Sequence, residues 1–279
     1  MEEVALVGDP VAHSLSPAIQ QAAFTALKLD WTYQLVRVPE GGLERAWPEL
    51  VRRFHGVNVT SPHKQAAARL ADQLSPTARR CDSVNTLTFA SSGSFGDSTD
   101  GAGFLAALRG RSELLPQRVV IVGTGGAARA VAAALQEEGA SVVVLGRNFA
   151  AGEALANGLA STGPGVVVFR GSGDGEVAKA LRGAELLVNA TTLGGPRFPQ
   201  LSPVPEAVRF SPDLTVFDLV YWPRNTPLRC RAEAAGCLLV EGVEMLVEQG
   251  ALAFQAWTGI EAPRPVMRQA ADHALEELR

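Results

Sequence analysis

Cysteine is scarce in this sequence: three residues, Cys81, Cys230 and Cys237, in a chain of 279. They form no Cys-x-x-Cys pair and are odd in number, which argues against a disulfide framework or a zinc site and fits a reducing cytoplasm. Histidine is scarce too, and His13, His55, His63 and His273 show no metal-ligand spacing, so no metal is expected. No apolar run approaches the roughly 20 residues of a membrane span. Positive charge is not in excess: the net charge is −4, which gives no reason to expect nucleic acid or an acidic membrane as partner. The start, Met1-Glu-Glu-Val, is acidic and leads straight into a strand, unlike a signal peptide. Repeats and low-complexity tracts are absent. With 47% apolar residues, the chain can fill about two domain cores.

What is present is a glycine turn between a strand and a helix, Val119-Val-Ile-Val-Gly-Thr-Gly-Gly-Ala-Ala-Arg-Ala130. This is the context a dinucleotide fingerprint needs. Gly123 allows the tight turn, Gly125 lets a pyrophosphate approach the backbone, and Ala128 permits close helix–strand packing. Thr124, Gly126 and Ala127 complete the turn and open the helix, whose N–H groups and partial positive charge suit phosphate. The plainer alternative is a sharp βα turn that binds nothing. The next strand, Ser141-Val-Val-Val-Leu145, ends at Gly146-Arg147-Asn148. An NAD site usually carries Asp or Glu there for the ribose 2′-hydroxyl. Gly146 offers no carboxylate, and Arg147 is able to grip a 2′-phosphate, so NADP is favoured over NAD. Otherwise Arg147 is a solvated strand-end residue.

Ahead of the glycine turn, strands at 4–7, 31–38 and 56–60 alternate with helices starting near Ser16-Pro17, Gly42 and Ser61-Pro62, the last with Lys64 in its first turn. A hairpin over 84–96 and a helix from Gly101 follow. The first ~100 residues therefore form an α/β domain of their own, joined by a 110–117 linker to a second α/β domain. There, strands are expected at 118–122, 141–145, 165–169, 185–189, 214–219 and 238–240, and a helix at Thr226-Pro227. The last long helix is expected from about Gly242 to Trp257. Within it Gln249 falls among apolar residues, either as a satisfied core amide or as a ligand contact.

Three polar clusters of the first domain sit at element ends, where sites form. Ser14 and Ser16 share a turn beside a helix start; Ser16 is a helix cap or, with Ser14, a carboxylate contact. Thr60 and Lys64 follow a strand, and a cation in the first turn of a helix is unfavourable, which hints at a function for Lys64. Asn85 and Asp100 lie at the start of one strand and after the next; Asp100 is a helix cap or a partner for the ammonium. A Lys/Asp pair can exchange the proton that accompanies hydride transfer to a carbonyl.

With these residues in view, the chain resembles the shikimate dehydrogenase family over nearly its whole length. The matching stretches are Ser14-Leu-Ser-Pro17, Gly56-Val-Asn-Val-Thr-Ser-Pro-His-Lys64, Val84-Asn-Thr86, Ser98-Thr-Asp-Gly-Ala-Gly103, Gly123-Thr-Gly-Gly-Ala-Ala128, Asn189-Ala-Thr191, Asp218 with Val220-Tyr221, Thr226-Pro-Leu228, and Gly242 to Gly259. The resemblance implies a two-domain α/β enzyme with an N-terminal substrate domain and a Rossmann-like NADP domain. Its reaction would be the reversible NADPH-dependent reduction of 3-dehydroshikimate to shikimate. Lys64 and Asp100 would be the catalytic pair. Ser14, Ser16 and Tyr221 would hold the substrate carboxylate, and Thr60, Asn85, Asp100 and Gln249 its hydroxyls. Gly123, Thr124, Gly125, Gly126, Ala127, Gly146, Arg147 and Asn148 would hold NADP(H), with Leu219 and Gly242 near the nicotinamide. The substrate domain is expected at 1–103 and 238–279, the cofactor domain at 104–237, with a cleft that closes between them and a monomer or homodimer in the cytoplasm. Against the family pattern, His63 stands where Phe is common, Cys81-Asp-Ser83 replaces a small run, and Ala151 occupies the place of a frequent second basic residue. That leaves Arg147 as a one-cation clamp and keeps open a quinate/shikimate enzyme with relaxed nucleotide use, or a cofactor-binding regulatory module without turnover.

Overall fold

The computed structural model of the chain describes residues 1–112, 115–171 and 173–278, with the backbone alone for Val166. Two of the 110–117 linker residues, 113 and 114, therefore lie outside the described residues. The chain divides into two compact units, residues 1–103 with 246–279, and residues 104–245. The first stretch runs β1 (Glu2–Gly8), α1 (Ser16–Ala26), β2 (Trp31–Arg37), α2 (Leu43–Arg53), β3 (Gly56–Val59), α3 (Lys64–Leu70), β4 (Gln73–Leu74), α4 (Pro76–Cys81), β5 (Thr86–Ala90), β6 (Gly93–Asp97) and α5 (Asp100–Arg109). The second runs β7 (Arg118–Val122), α6 (Gly126–Glu137), β8 (Ser141–Gly146), α7 (Phe149–Leu159), β9 (Val166–Gly171), α8 (Asp174–Leu181), β10 (Leu186–Asn189), β11 (Thr215–Asp218), α9 (Pro227–Ala234), β12 (Leu238–Glu241) and α10 (Gly242–Thr258). The chain ends with α11 (Arg264–Glu277).

In the first unit six strands are ordered β2-β1-β3-β5-β6-β4. β1 lies parallel to both β2 and β3, while β5 runs antiparallel to β3 and β6. Strands this apolar (Val4-Ala-Leu-Val7, Val57, Val59) need cover on both faces. One face is covered by Leu43, Leu50, Phe54, Ala67, Ala68 and Ala78. The C-terminal half of α10 is fixed to the same unit: Trp257 Nε1 donates to Leu87 O at 3.0 Å, Gln20 Nε2 donates to Gly250 O at 2.8 Å, and Phe24 stacks on Phe254 at 5.4 Å.

In the second unit all strand pairs are parallel, in the order β12-β11-β10-β7-β8-β9. Read from the other edge this is the 3-2-1-4-5-6 order of a doubly wound sheet, whose switch point lies between its first and fourth strands. Those are β7 and β10 here, and the glycine turn leaves the C-terminal end of β7. Val119 to Val122 are each at most 4% exposed, as a central parallel strand requires.

Three findings correct the sequence reading. β12 belongs to the second unit, because its residues pair with β11 from Thr215↔Leu238 to Asp218↔Glu241; the second unit extends to 245 instead of 237. The helix over 242–258 is not the last, since α11 follows it. β4 and α4 went unread because they are short and polar; Ser75 caps α4 by accepting from Ala78 N at 3.0 Å. Among the described residues no helix is long and apolar enough to cross a membrane, and no cluster of His, Cys, Asp or Glu could hold a metal ion.

Gly103 in α5 marks the tightest helix approach beside the polar clusters. A Cβ there would lie 2.6 Å from Gln249 N and 2.9 Å from its Cα. Backbone cannot yield as a flexible side chain does, so Gly103→Ala is expected to destabilise the first unit by about 1–3 kcal/mol. Thermal unfolding followed by circular dichroism measures this; an unchanged melting temperature would show that α5 and α10 have slack.

Candidate active site

The parallel strands β1 and β3 both end beneath a polar turn. Thr60 follows β3, and its N–H donates to Val7 O at 2.8 Å, which ties the 60–64 turn to the end of β1. Ser14 and Ser16 lie on the segment that leaves β1. Ser16 is not the cap of α1, as the sequence allowed. It is the first helical residue, and Ser14 Oγ accepts from its N–H at 3.2 Å. His63 is buried, with its Nε2 2.6 Å from Val38 O, so it braces the backbone.

Lys64 opens α3, and its carbonyl accepts from Val84 N at 3.0 Å. Its ammonium meets Asp100 Oδ2 at 2.5 Å, and the two side chains are only 14% and 5% exposed. Charge-assisted bonds are shorter and stronger than neutral ones, and shielding from water strengthens this one further. Removing one member of such a pair would leave a buried charge without its counterion. The other carboxylate oxygen, Oδ1, accepts from Asn85 Nδ2 at 2.9 Å. The same Nδ2 lies 2.9 Å from Thr99 Oγ1 and 3.1 Å from Gln249 Oε1, so three acceptors share two hydrogens. Thr99 N donates back to Asn85 Oδ1 at 2.8 Å. Gln249 Nε2 donates to Leu246 O at 2.7 Å, which leaves one further amide N–H.

Lys64, Asn85, Asp100 and Gln249 thus form one network, although they come from α3, the residue before β5, α5 and α10. Gln249, open between core and ligand in the sequence, is a hydrogen-bonded member of that network. Thr99 and Asn58 were missed. Asn58 Oδ1 accepts from Tyr33 Oη at 2.8 Å, and its Nδ2 donates to Asn85 O at 3.1 Å. The available signal was an amide in the apolar strand Gly56-Val-Asn-Val59. Cys81 borders the network. Burial pushes its thiol up to about 11, against its contacts to Ser98 and Ser83 and with a smaller push from the Asp100 charge. A thiol so rarely ionised reacts slowly. At neutral pH a thiol reagent should label exposed Cys230 in the folded protein and leave Cys81 until unfolding; mass spectrometry of labelled peptides reads this, and native labelling of Cys81 would contradict it.

The glycine turn is built on the second unit. Gly123 has φ +129°, and a Cβ there would meet Ala190 O at 2.7 Å. Gly125 faces open space at the N-cap of α6, with no side-chain cap there, and Gly126 begins the helix. Ala128 is fully buried in the third fingerprint position. A Cβ at Gly146 would lie 2.5 Å from Thr124 Cγ2, so an acidic side chain does not fit there without displacing Thr124. Arg147 is exposed and has no ion-pair partner among the described residues. Asn148 caps α7, its Oδ1 accepting from Ala151 N at 3.0 Å, which leaves its Nδ2 to donate. Leu219 and Gly242 adjoin: a Cβ on Gly242 would sit 2.5 Å from Leu219 O. Tyr221 is half-buried on the segment after β11. The residues present fit a dinucleotide with a 2′-phosphate: an unobstructed glycine turn, no carboxylate at 146 and an unpaired guanidinium at 147.

The family description "Shikimate dehydrogenase substrate binding domain" matches residues 6–87, and "Shikimate 5'-dehydrogenase C-terminal domain" matches residues 242–271. The shikimate dehydrogenase (NADP(+)) of Methanopyrus kandleri is 44% identical, over 99% of this chain and 96% of its own. Shikimate 5-dehydrogenase of Thermus thermophilus, solved with NADP(H) and shikimate, superposes with a TM-score of 0.85 at 38% identity, covering 98% of this chain and 100% of that one. A quinate dehydrogenase of Corynebacterium glutamicum, solved with NAD, superposes with a TM-score of 0.83 at 28% identity, covering 96% of this chain and 98% of that one. On identity and coverage together, the chain belongs to the shikimate dehydrogenase family.

Proposed function

We propose that this protein catalyses the reversible NADP-dependent interconversion of 3-dehydroshikimate and shikimate. The observation that carries the reading is the shielded Lys64–Asp100 pair, bonded through Asn85 to Gln249. Residues 1–103 with the C-terminal helices bind the substrate, and the glycine-turn unit binds the nucleotide. Its assigned contacts there are Gly123, Thr124, Gly125, Gly126, Ala127, Gly146, Arg147 and Asn148, with Leu219 and Gly242 toward the nicotinamide. Bound NADP(H) supplies or accepts the hydride. In reduction the Lys64 ammonium gives its proton to the oxygen of the reacting carbonyl as negative charge develops there, and in oxidation neutral Lys64 takes the hydroxyl proton. Asp100 Oδ2 aims the ammonium. Ser14, Ser16 and Tyr221 receive the carboxylate; Ser14 Oγ already accepts from Ser16 N, so its own hydrogen is left to donate. Thr60, Asn85, Asp100 and the remaining N–H of Gln249 receive the hydroxyls.

Incubation of the protein with shikimate and NADP+ tests the reading, followed by the absorbance of reduced nicotinamide. Steady formation of NADPH is expected; its absence under saturating substrates would overturn the assignment. One observation favours a second reading, a quinate/shikimate enzyme that also takes NAD: the position of a second cation is Ala151, so Arg147 grips the 2′-phosphate alone. Quinate oxidised with NAD+ as efficiently as shikimate with NADP+ would establish it. The protein acts on a small molecule, in the cytoplasm, as a monomer or homodimer.

A further inference from the structure

Three segments of the second unit converge on one buried carboxylate. Asp218 ends β11 and is 5% exposed. Its Oδ1 accepts from Asn189 Nδ2 at 2.8 Å and from Val220 N at 3.1 Å, and its Oδ2 accepts from Thr226 Oγ1 at 2.6 Å. Each donor anchors a different piece of chain. Asn189 ends the neighbouring strand β10 and braces the turn beyond it, its Oδ1 accepting from Thr191 N at 3.0 Å and its Nδ2 donating to Leu193 O at 3.0 Å. Thr226 caps α9 by accepting from Arg229 N at 3.1 Å, which directs its hydroxyl hydrogen to Asp218. Val220 stands between Leu219 and Tyr221. Leu219 N donates to Asn189 O at 3.1 Å, and a Cβ on Gly242 would lie 2.8 Å from Asp218 O.

A carboxylate is a costly way to end a buried strand. Burial pushes the Asp218 carboxyl above the ordinary carboxylate range, opposed by Thr226, Val220 N, Asn189 and the Arg229 guanidinium. An apolar residue, like Val216 and Phe217 before it, would serve packing alone. What the carboxylate adds is a fixed acceptor at the root of residues 219–221, with each oxygen committed.

We propose that Asp218 is a positioning residue for the reaction, holding the backbone of residues 219–221 so that Leu219 and Tyr221 meet the nicotinamide and the substrate carboxylate in one defined geometry. The inference rests on the functional reading of Leu219 and Tyr221 given above. It does not extend to the 2′-phosphate end of the nucleotide, because Arg147 follows a different strand, β8.

Asp218→Asn, Thr226→Val and Thr226→Ser test it. Two readouts are needed besides the melting temperature: kcat with both KM values, and saturation-transfer NMR of bound NADP+, which reports adenine and nicotinamide protons separately. In Asp218→Asn an amide N–H replaces the acceptor facing the Thr226 hydroxyl. The folded variant is expected to keep adenine saturation and KM for NADP+ and to lose at least half the nicotinamide saturation. Its kcat should fall by about 10-fold to 10²-fold, the scale of an ångström-sized misplacement. Thr226→Val should follow Asp218→Asn, and Thr226→Ser, which restores the hydroxyl, should recover most of both signals. Folded Asp218→Asn with wild-type kcat and nicotinamide saturation would overturn the proposal. So would failure of both Asp218→Asn and Thr226→Val to fold, which would make the network structural. The NMR readout needs no turnover: if the wild type fails to oxidise shikimate while Asp218→Asn still loses nicotinamide saturation, the functional reading falls and the positioning role stands.

Discussion

Lys64→Ala is expected to lower turnover of shikimate by about 10²-fold or more, with a smaller change in shikimate KM. The asymmetry follows from where the ammonium acts. Hydroxyl recognition is shared among Thr60, Asn85, Asp100 and Gln249, whereas the proton that accompanies hydride has one carrier. Truncation also leaves Asp100 buried at 5% exposure without its counterion, with its Oδ1 still accepting from Asn85. Part of the loss therefore belongs to the pair, and a double variant with Asp100→Asn should fall short of the product of the single effects. Steady-state rates with both substrates saturating check this. A Lys64→Ala enzyme with near-native turnover would remove the ammonium from the mechanism.

Arg147→Ala should weaken NADP+ about 10-fold to 10²-fold, the scale of one charge-assisted hydrogen bond to phosphate, and leave NAD+ almost unchanged. The guanidinium is exposed and has no ion-pair partner among the described residues, so the folded state is not expected to suffer. Gly146 gives no carboxylate to favour NAD in its place, and a Cβ added there would lie 2.5 Å from Thr124 Cγ2, which opposes adding one. Calorimetric titration of the two nucleotides decides the point. Equal losses for NADP+ and NAD+ would show that Arg147 does not read the 2′-phosphate.

The glycine turn was legible in the sequence because its physics is local. Four β-branched residues, a turn that only glycine can make and an alanine-rich helix follow one another without a gap, and the structure has β7, Gly123 at φ +129° and α6 in those places. Lys64 at a helix start was legible for the same reason. What the sequence withheld was partnership across distance. Nothing in Leu238–Glu241 says which sheet the strand joins; the register with β11 does. The periodicity of α10 put Gln249 among apolar residues but could not show Asn85, 164 positions away, facing its Oε1. Ser16 had the right chemistry for a cap, yet Ser14, two residues earlier, accepts the N–H, because the chain turns one residue sooner than the serine–proline signal suggests. Asp218, Asn189 and Thr226 appeared only as separate matching stretches, and their convergence depends on the parallel pairing of β10 with β11.

The most direct measurement is the initial rate of nucleotide reduction by the wild-type protein across four combinations, shikimate or quinate with NADP+ or NAD+. The account predicts the highest kcat/KM for shikimate with NADP+, a loss on changing the acid, and a loss on removing the 2′-phosphate. Shikimate that reduces neither nucleotide, beside a protein that is folded and binds NADP+, would contradict it.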